Sequence, residues 1–197
     1  MIIIGLDLAT QSGVCYGRPD TTPVVQVVRA PVTGKDYGQF GAFYWRFFCG
    51  LLRNLGARLE PGEKLLANFE APILPRERWD KAQQKMVGQT NIETTRKLHS
   101  LGVLFETACV VIAEEMDIEI DARECHLATI KKRLGGHGAA EKPDLVFVAR
   151  RAGIILPAGN EALDGADGFG AWLIAIQEQA PQHQAYWDQR IYGGVRR

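Results

Sequence analysis

The sequence predicts an α/β fold in which a central mixed five-stranded sheet, three antiparallel strands followed by parallel ones, is flanked by helices. Three observations support this class. Short apolar segments at the start of the chain have the length of strands, longer segments carry apolar residues at helical spacing, and strands alternate with helices as far as residue 134, after which two more helices follow. A chain of 197 residues with 46% hydrophobic content is large enough for one domain with a sizeable core.

The first elements are predicted to be three strands and a helix. An apolar run ends near Asp7, and the turn residues Thr10 to Gly13 lead into a second apolar segment, which together predict a hairpin. A third strand follows a proline-containing turn. The strands are placed at residues 2–8, 14–17 and 24–28, and the first helix at residues 37–59.

A fourth strand ends at Glu70, because Pro72 and Pro75 prevent simple continuation as strand or helix. The next segment, residues 73–89, is mixed and charged and receives no assignment. The fourth strand covers residues 64–70. The remaining predicted elements are a strand at 118–120 and helices at 92–116, 121–134, 140–152 and 160–177. Together they form a domain spanning residues 1–178, which is followed by a surface tail at 179–197.

Composition excludes several classes of protein. The chain has a formal net charge of zero, which argues against binding nucleic acid by bulk charge alone. No segment has the length of a membrane span or the pattern of a signal peptide, so we expect a soluble, cytoplasmic protein without a membrane partner. The four cysteines lack the C-x-x-C pairs of zinc and redox sites, which predicts reduced, mostly structural thiols at Cys15, Cys49, Cys109 and Cys125.

Four carboxylates lie where charges are uncommon, at the edges of apolar segments. Asp7 and Glu70 end predicted strands, while Asp164 and Asp167 share one face of the last predicted helix. Oxygen donors without a Cys or His cluster favour Mg²⁺, with Mn²⁺ as a substitute, and two such ions about 3.5–4 Å apart can promote phosphodiester hydrolysis. Each acid alone has an ordinary alternative, such as a turn aspartate or a charge that complements a helix N-terminus.

Four segments in the same order resemble the RuvC-type Holliday junction resolvases of the ribonuclease H superfamily, over most of residues 1–178. They are G-L-D-L-A-T-Q-S-G at 5–13, F-E at 69–70, I-K at 130–131 followed by G-H-G-A-A-E-K at 136–142, and D-G-A-D-G at 164–168. Leu8-Ala9 stands where that family has Pro-Gly.

This resemblance implies a ribonuclease H-like fold and a homodimer that cuts four-way DNA junctions with paired hydrolytic nicks, leaving 5′-phosphates. It also implies that Lys131 and Lys142 contribute to activity or DNA contact. A branch-migration helicase that delivers the junction is a further candidate partner. The implied catalytic residues are Asp7, Glu70, Asp164, Asp167 and Lys142, of which the four acids would hold two metal ions per active site.

Further basic and aromatic residues are candidates for DNA contact. Lys131 and Lys132 belong to a charge run that could also be an ordinary solvated helix face, but basic residues outnumber acids between Arg123 and Arg151. Trp79 is a candidate for stacking on unpaired bases, although a packed loop tryptophan fits equally well. The full set is Lys131, Lys132, Lys142, Arg76, Arg78 and Trp79.

Three alternatives remain open at this point. A nuclease of the same fold could act on other branched DNA or on RNA–DNA hybrids. An ATP-binding phosphotransferase of the actin-like fold opens with a similar strand and hairpin, although that architecture needs two such lobes and a longer chain. A DNA-binding module without catalysis would not need the complete set of acids.

Overall fold

A computed structural model describes residues 1–31, 36–71, 77–80, 85–88, 92–136 and 140–193. For residues 77–80, 85–88 and 92 the description concerns the backbone. Among the helices of these described ranges, none has the length and apolar character needed to span a membrane. The elements are β1 (Ile2–Asp7), β2 (Gln11–Gly17), β3 (Val24–Arg29), α1 (Tyr37–Gly56), β4 (Leu65–Glu70), β5 (Glu77–Asp80), β6 (Lys85–Gly88), α2 (Ile92–Met116), β7 (Ile120–Cys125), α3 (Leu127–Gly135), α4 (Lys142–Arg151), α5 (Glu161–Gln179), a 3₁₀ turn (Pro181–His183) and α6 (Gln184–Tyr192).

Within the described residues, five strands form one sheet in the order β3-β2-β1-β4-β7. The pairs β1–β2 and β2–β3 are antiparallel, whereas β1–β4 and β4–β7 are parallel. This arrangement confirms the predicted mixed sheet. In the segment that received no assignment, β5 and β6 pair as a separate antiparallel ribbon.

Both faces of the central strand β1 are covered. Ile2, Ile4 and Leu6 pack toward α1 and α2, and Ile3 lies in the opposite layer with α3, α4 and α5. Each fully buried aliphatic side chain of this kind contributes about 1.5–3 kcal/mol. Burial on both faces explains why β1 is a continuous apolar run with its charge, Asp7, at its end.

Helix α5 packs directly against the backbone of β1 and β2. A Cβ atom at Gly5 would overlap the backbone nitrogen of Trp172, and one at Gly13 would overlap the carbonyl oxygen of Asp164. Only glycine permits so close an approach of helix and sheet. The start of α5 is therefore held where β1 ends and β2 begins.

The prediction of a helix over residues 121–134 is wrong in its first part. The strand β7 extends to Cys125, and α3 begins at Leu127. This strand lies at the edge of the sheet and pairs with β4 from Ile120 to Cys125. Its polar residues, among them the ion-paired Asp121 and Arg123, obscure the alternation that is typical of a strand.

The predicted surface tail from residue 179 is also wrong for the 3₁₀ turn and α6. Trp187 is fully buried, and its indole Nε1 donates a hydrogen bond of 2.7 Å to the carbonyl oxygen of Pro19. Its ring meets that of Trp172 edge-on at 5.0 Å. A single buried face, carried by Trp187 and Ile191 one turn apart, attaches an otherwise polar helix to the core.

The four cysteines are free and buried, as expected of structural thiols. Cys15 and Cys125 lie in the layer with α5, and Cys49 and Cys109 lie in the layer with α1 and α2. Burial raises the pKa of Cys109 and that of Cys125 to about 12. These two thiols therefore stay protonated at neutral pH and act as small apolar core residues.

Candidate active site and metal centre

Two carboxyl groups lie at the ends of neighbouring parallel strands. The register of β1 and β4 pairs Leu6 with Phe69, so Asp7 and Glu70 follow at the next step. Because side chains alternate along a strand, both carboxyl groups lie on the face that α5 covers. Asp7 is only 6% exposed, and Glu70 is half-buried.

Helix α5 brings two further carboxylates to this edge. Asp164 and Asp167 lie one turn apart, and the backbone of Asp164 abuts Gly13, which is the partner of Asp7 in the β1–β2 ladder. The Asp167 side chain is 1% exposed and that of Asp164 is 20% exposed. The structure therefore brings all four predicted acids to one end of the sheet.

Asp7 and Glu70 share their environment closely enough to influence each other's protonation. Burial raises the pKa of Asp7 well above its usual range, and the charges of Glu70 and Asp167 raise it further. Burial also raises the pKa of Glu70, although hydrogen bonding with Asp7 opposes this rise. The pKa of Asp7 is raised more than that of Glu70, because the interaction between the two side chains raises the first and lowers the second. Carboxyl groups perturbed in this way are typical of functional sites.

Lys142, the first residue of α4, contacts both acids of α5. Its Nζ lies 2.7 Å from Oδ2 of Asp167 and 3.4 Å from Oδ1 of Asp164. Partial burial opposes the charge of Lys142, but the carboxylate of Asp167 outweighs it and raises the pKa of the lysine, with smaller contributions from Asp7 and Asp164. Lys142 therefore remains a cation within the acidic cluster.

Gln11 is a member of this site that the sequence interpretation missed. Its Nε2 donates a hydrogen bond of 2.7 Å to Oδ2 of Asp164. The sequence places Gln11 among turn residues, whereas the structure makes it the first residue of β2. With β2 extended to that point, alternation puts Gln11 on the same face as Gly13 and therefore facing α5.

The chemistry of these residues suits a hard divalent cation. All four acids offer carboxyl oxygens, and neither oxygen of Asp167 receives a well-directed hydrogen bond from a described residue, despite the ion pair with Lys142. In the described ranges, no three Asp, Glu, His or Cys side chains already stand close enough together to hold a metal ion. The chemistry of the donor atoms therefore fits a metal ion, but the described side chains do not yet stand together as its ligands, and Lys142 contacts the carboxylates of α5 that the ion would need.

Comparison with known proteins identifies the fold. No protein family model and no curated protein matches the chain. Among solved structures, the RuvC of Thermus thermophilus matches with a TM-score of 0.51 and 16% identity, over 90% of this chain and 96% of that RuvC. The same RuvC in complex with a Holliday junction substrate matches with a TM-score of 0.52 and 16% identity, over 93% and 97% of the two chains. The chain has a ribonuclease H-like fold.

Two of the predicted DNA-contacting residues, Lys131 and Lys132, lie on α3 of this ribonuclease H-like fold. Lys131 is half-buried on α3, and its charge counteracts the rise in the pKa of Glu70, so it lies within electrostatic reach of the acids. Lys132 is exposed one position further along α3. Arg76 lies outside the described residues, and so do the side chains of Arg78 and Trp79 on β5.

Proposed function

We propose that this protein is a metal-dependent endonuclease that cuts branched DNA, with four-way junctions as its main substrate, by paired hydrolytic nicks that leave 5′-phosphates. The observation that carries the proposal is the gathering of Asp7, Glu70, Asp164 and Asp167 at one end of a ribonuclease H-like sheet. The choice of substrate is supported by the similar fold of a RuvC in complex with a Holliday junction substrate.

The four acids would hold two Mg²⁺ ions, or Mn²⁺ in their place. When bound, these ions supply the Lewis acidity that activates the attacking water and stabilises the departing oxygen. The protein's own residues prepare the site. Asp7 would hold the metal as an ionised carboxylate, and Gln11 orients the carboxylate of Asp164. Lys131 and Lys142 supply positive charge for the phosphate that approaches the sheet end.

A second copy of the chain is the proposed partner. Two symmetric nicks in a junction require two active sites, which a two-fold dimer provides. Val103 and Val110 are 62% and 58% exposed and lie seven residues apart on one face of α2, with the polar Glu106 and Thr107 between them, and this face, the α2 stripe, is the one that a second copy would cover. A branch-migration helicase would be a further partner that delivers the junction.

The decisive experiment compares a labelled four-way junction with a matched linear duplex, a fork and an RNA–DNA hybrid. Each is incubated with Mg²⁺, Mn²⁺ or EDTA and resolved on a denaturing gel. We expect symmetric nicks near the branch point only when metal is present. Equal cleavage of all four substrates would indicate a broader nuclease, and binding without cleavage would contradict the catalytic proposal. Thermal stabilisation by ATP in place of cleavage would favour a phosphotransferase.

A further inference from the structure

The acidic cluster contains a cation that belongs to the protein. The ammonium group of Lys142 lies within 3.4 Å of carboxylate oxygens on both Asp164 and Asp167. Asp167 is almost completely buried, whereas the side chain of Lys142 is 42% exposed. The lysine therefore reaches into the cluster from a side that is open to solvent.

The charge of Lys142 offsets a group of carboxylates that would otherwise repel one another. Asp7 and Asp167 are buried, and the ammonium group of Lys142 contacts Asp167 directly at 2.7 Å. Buried carboxylates need such a partner, since an isolated buried charge strongly destabilises a folded protein. Lys142 thus performs in the metal-free protein the charge compensation that divalent ions would provide.

The ion pair between Lys142 and Asp167 is suited to replacement by a metal ion. Lys142 pairs with Oδ2 of Asp167 at 2.7 Å, yet this oxygen receives no well-directed hydrogen bond from the described residues. The backbone beside Lys142 is held at the start of α4, where the Asp144 carboxylate accepts a hydrogen bond of 3.0 Å from the backbone N–H of Glu141, and the Asp144 N–H donates to the carbonyl oxygen of Glu141. Movement is therefore confined to the flexible side chain, which can leave the acids without a shift of α4.

We propose that Lys142 is an internal counterion that occupies the acidic cluster in the absence of metal and is displaced toward solvent when a divalent cation binds. This inference rests on the proposed metal-dependent function. An ammonium ion and a divalent ion that approach the same carboxylates of Asp164 and Asp167 repel each other, so the two compete. The displaced ammonium is then free to contact the DNA phosphate, which couples metal loading to substrate binding.

The test is metal binding rather than cleavage. Mn²⁺ affinity is measured by the electron paramagnetic resonance signal of free Mn²⁺ and by calorimetry, for the wild type and for Lys142→Met. Because Lys142→Met removes the competing charge, we expect it to bind Mn²⁺ at least about tenfold more tightly. The matched control, Arg150→Met, removes an exposed positive charge at the other end of α4 and should change the affinity by less than about threefold. Wild-type binding with equal or weaker binding by Lys142→Met would overturn the exchange.

A second measurement does not depend on the folding of a variant. The side-chain ¹H–¹⁵N signal of Lys142 in the wild type, assigned by its loss in Lys142→Arg, is followed during a Mg²⁺ titration. We expect it to move to the position of an exposed lysine as metal binds. A signal that stays unchanged at Mg²⁺ concentrations that saturate calorimetric binding would overturn the exchange but leave metal binding intact. Absence of any metal binding in both the wild type and Lys142→Met would overturn the proposed function as well.

Discussion

Asp7 is buried beside two other carboxyl groups, so its ionised form destabilises the folded protein when no cation compensates it. Burial, followed by the charges of Glu70 and Asp167, raises its pKa. A carboxyl group with a raised pKa stabilises the folded state while it is protonated, and this contribution is lost as the pH rises through that pKa. Stability and function therefore make opposite demands on this residue.

Replacing Asp7 with Asn should separate these two demands. We expect Asp7→Asn to lower cleavage at least about a hundredfold, because a metal ligand is lost. In EDTA at pH 8 the same variant should melt about 2–4 °C above the wild type, with a smaller difference at pH 5. Calorimetry at both pH values checks this. The control is Asp20→Asn, an exposed site with the same charge change, and a lower melting temperature for Asp7→Asn at pH 8 would refute the account.

Gln11 is expected to act through Asp164 rather than on the substrate. Removal of its 2.7 Å hydrogen bond by Gln11→Ala leaves the Asp164 carboxylate free to rotate, so the Mg²⁺ concentration for half-maximal cleavage should rise about tenfold. At saturating Mg²⁺ most of the activity should return, a recovery that a folding defect would not show. Gln26→Ala on β3 is the matched control, and an unchanged Mg²⁺ requirement for Gln11→Ala would exclude a positioning role.

At the scale of elements, the close contact of α5 with the sheet explains why acids distant in sequence meet. Asp7 and Glu70 follow from strand ends, and Asp164 and Asp167 from helical spacing, so sequence patterns could predict all four. The contacts of Gln11 and Lys142 with Asp164 depend on tertiary packing that no local pattern shows. For the same reason, the buried Trp187 was hidden within the polar sequence of α6.

Gly13 provides the sharpest test of this packing. Because a Cβ at Gly13 would overlap the carbonyl oxygen of Asp164, Gly13→Ala should push α5 away from β2 and lower stability by about 1–3 kcal/mol, with loss of cleavage. Gly50 offers a control for which the same substitution should raise the stability instead of lowering it. It is exposed within α1 and has no atom within 4 Å of a new Cβ, so Gly50→Ala should raise stability by about 0.5–1 kcal/mol. Urea unfolding of both variants measures the difference, and equal effects would contradict the packing argument.

At the scale of the whole molecule, the proposed pairing of nicks depends on assembly. If the α2 stripe forms the contact between copies, Val110→Asp should bury a charge at that contact and dissociate the dimer. Light scattering should then report the 21.8 kDa mass of one chain instead of twice that mass. Junction cleavage should change from paired to single nicks, since each active site would act alone.

The matched control for this prediction is Ile155→Asp, because Ile155 is 85% exposed and lies between α4 and α5, outside the α2 stripe. It should leave both the mass and the pairing of nicks unchanged. A dimer that persists in Val110→Asp would exclude the α2 stripe as the contact. The acids of each site come from one chain, so each site is complete in a single copy. Single nicks from a persistent dimer would therefore show that α2 affects how the two sites are placed on the junction, and not whether the two copies associate.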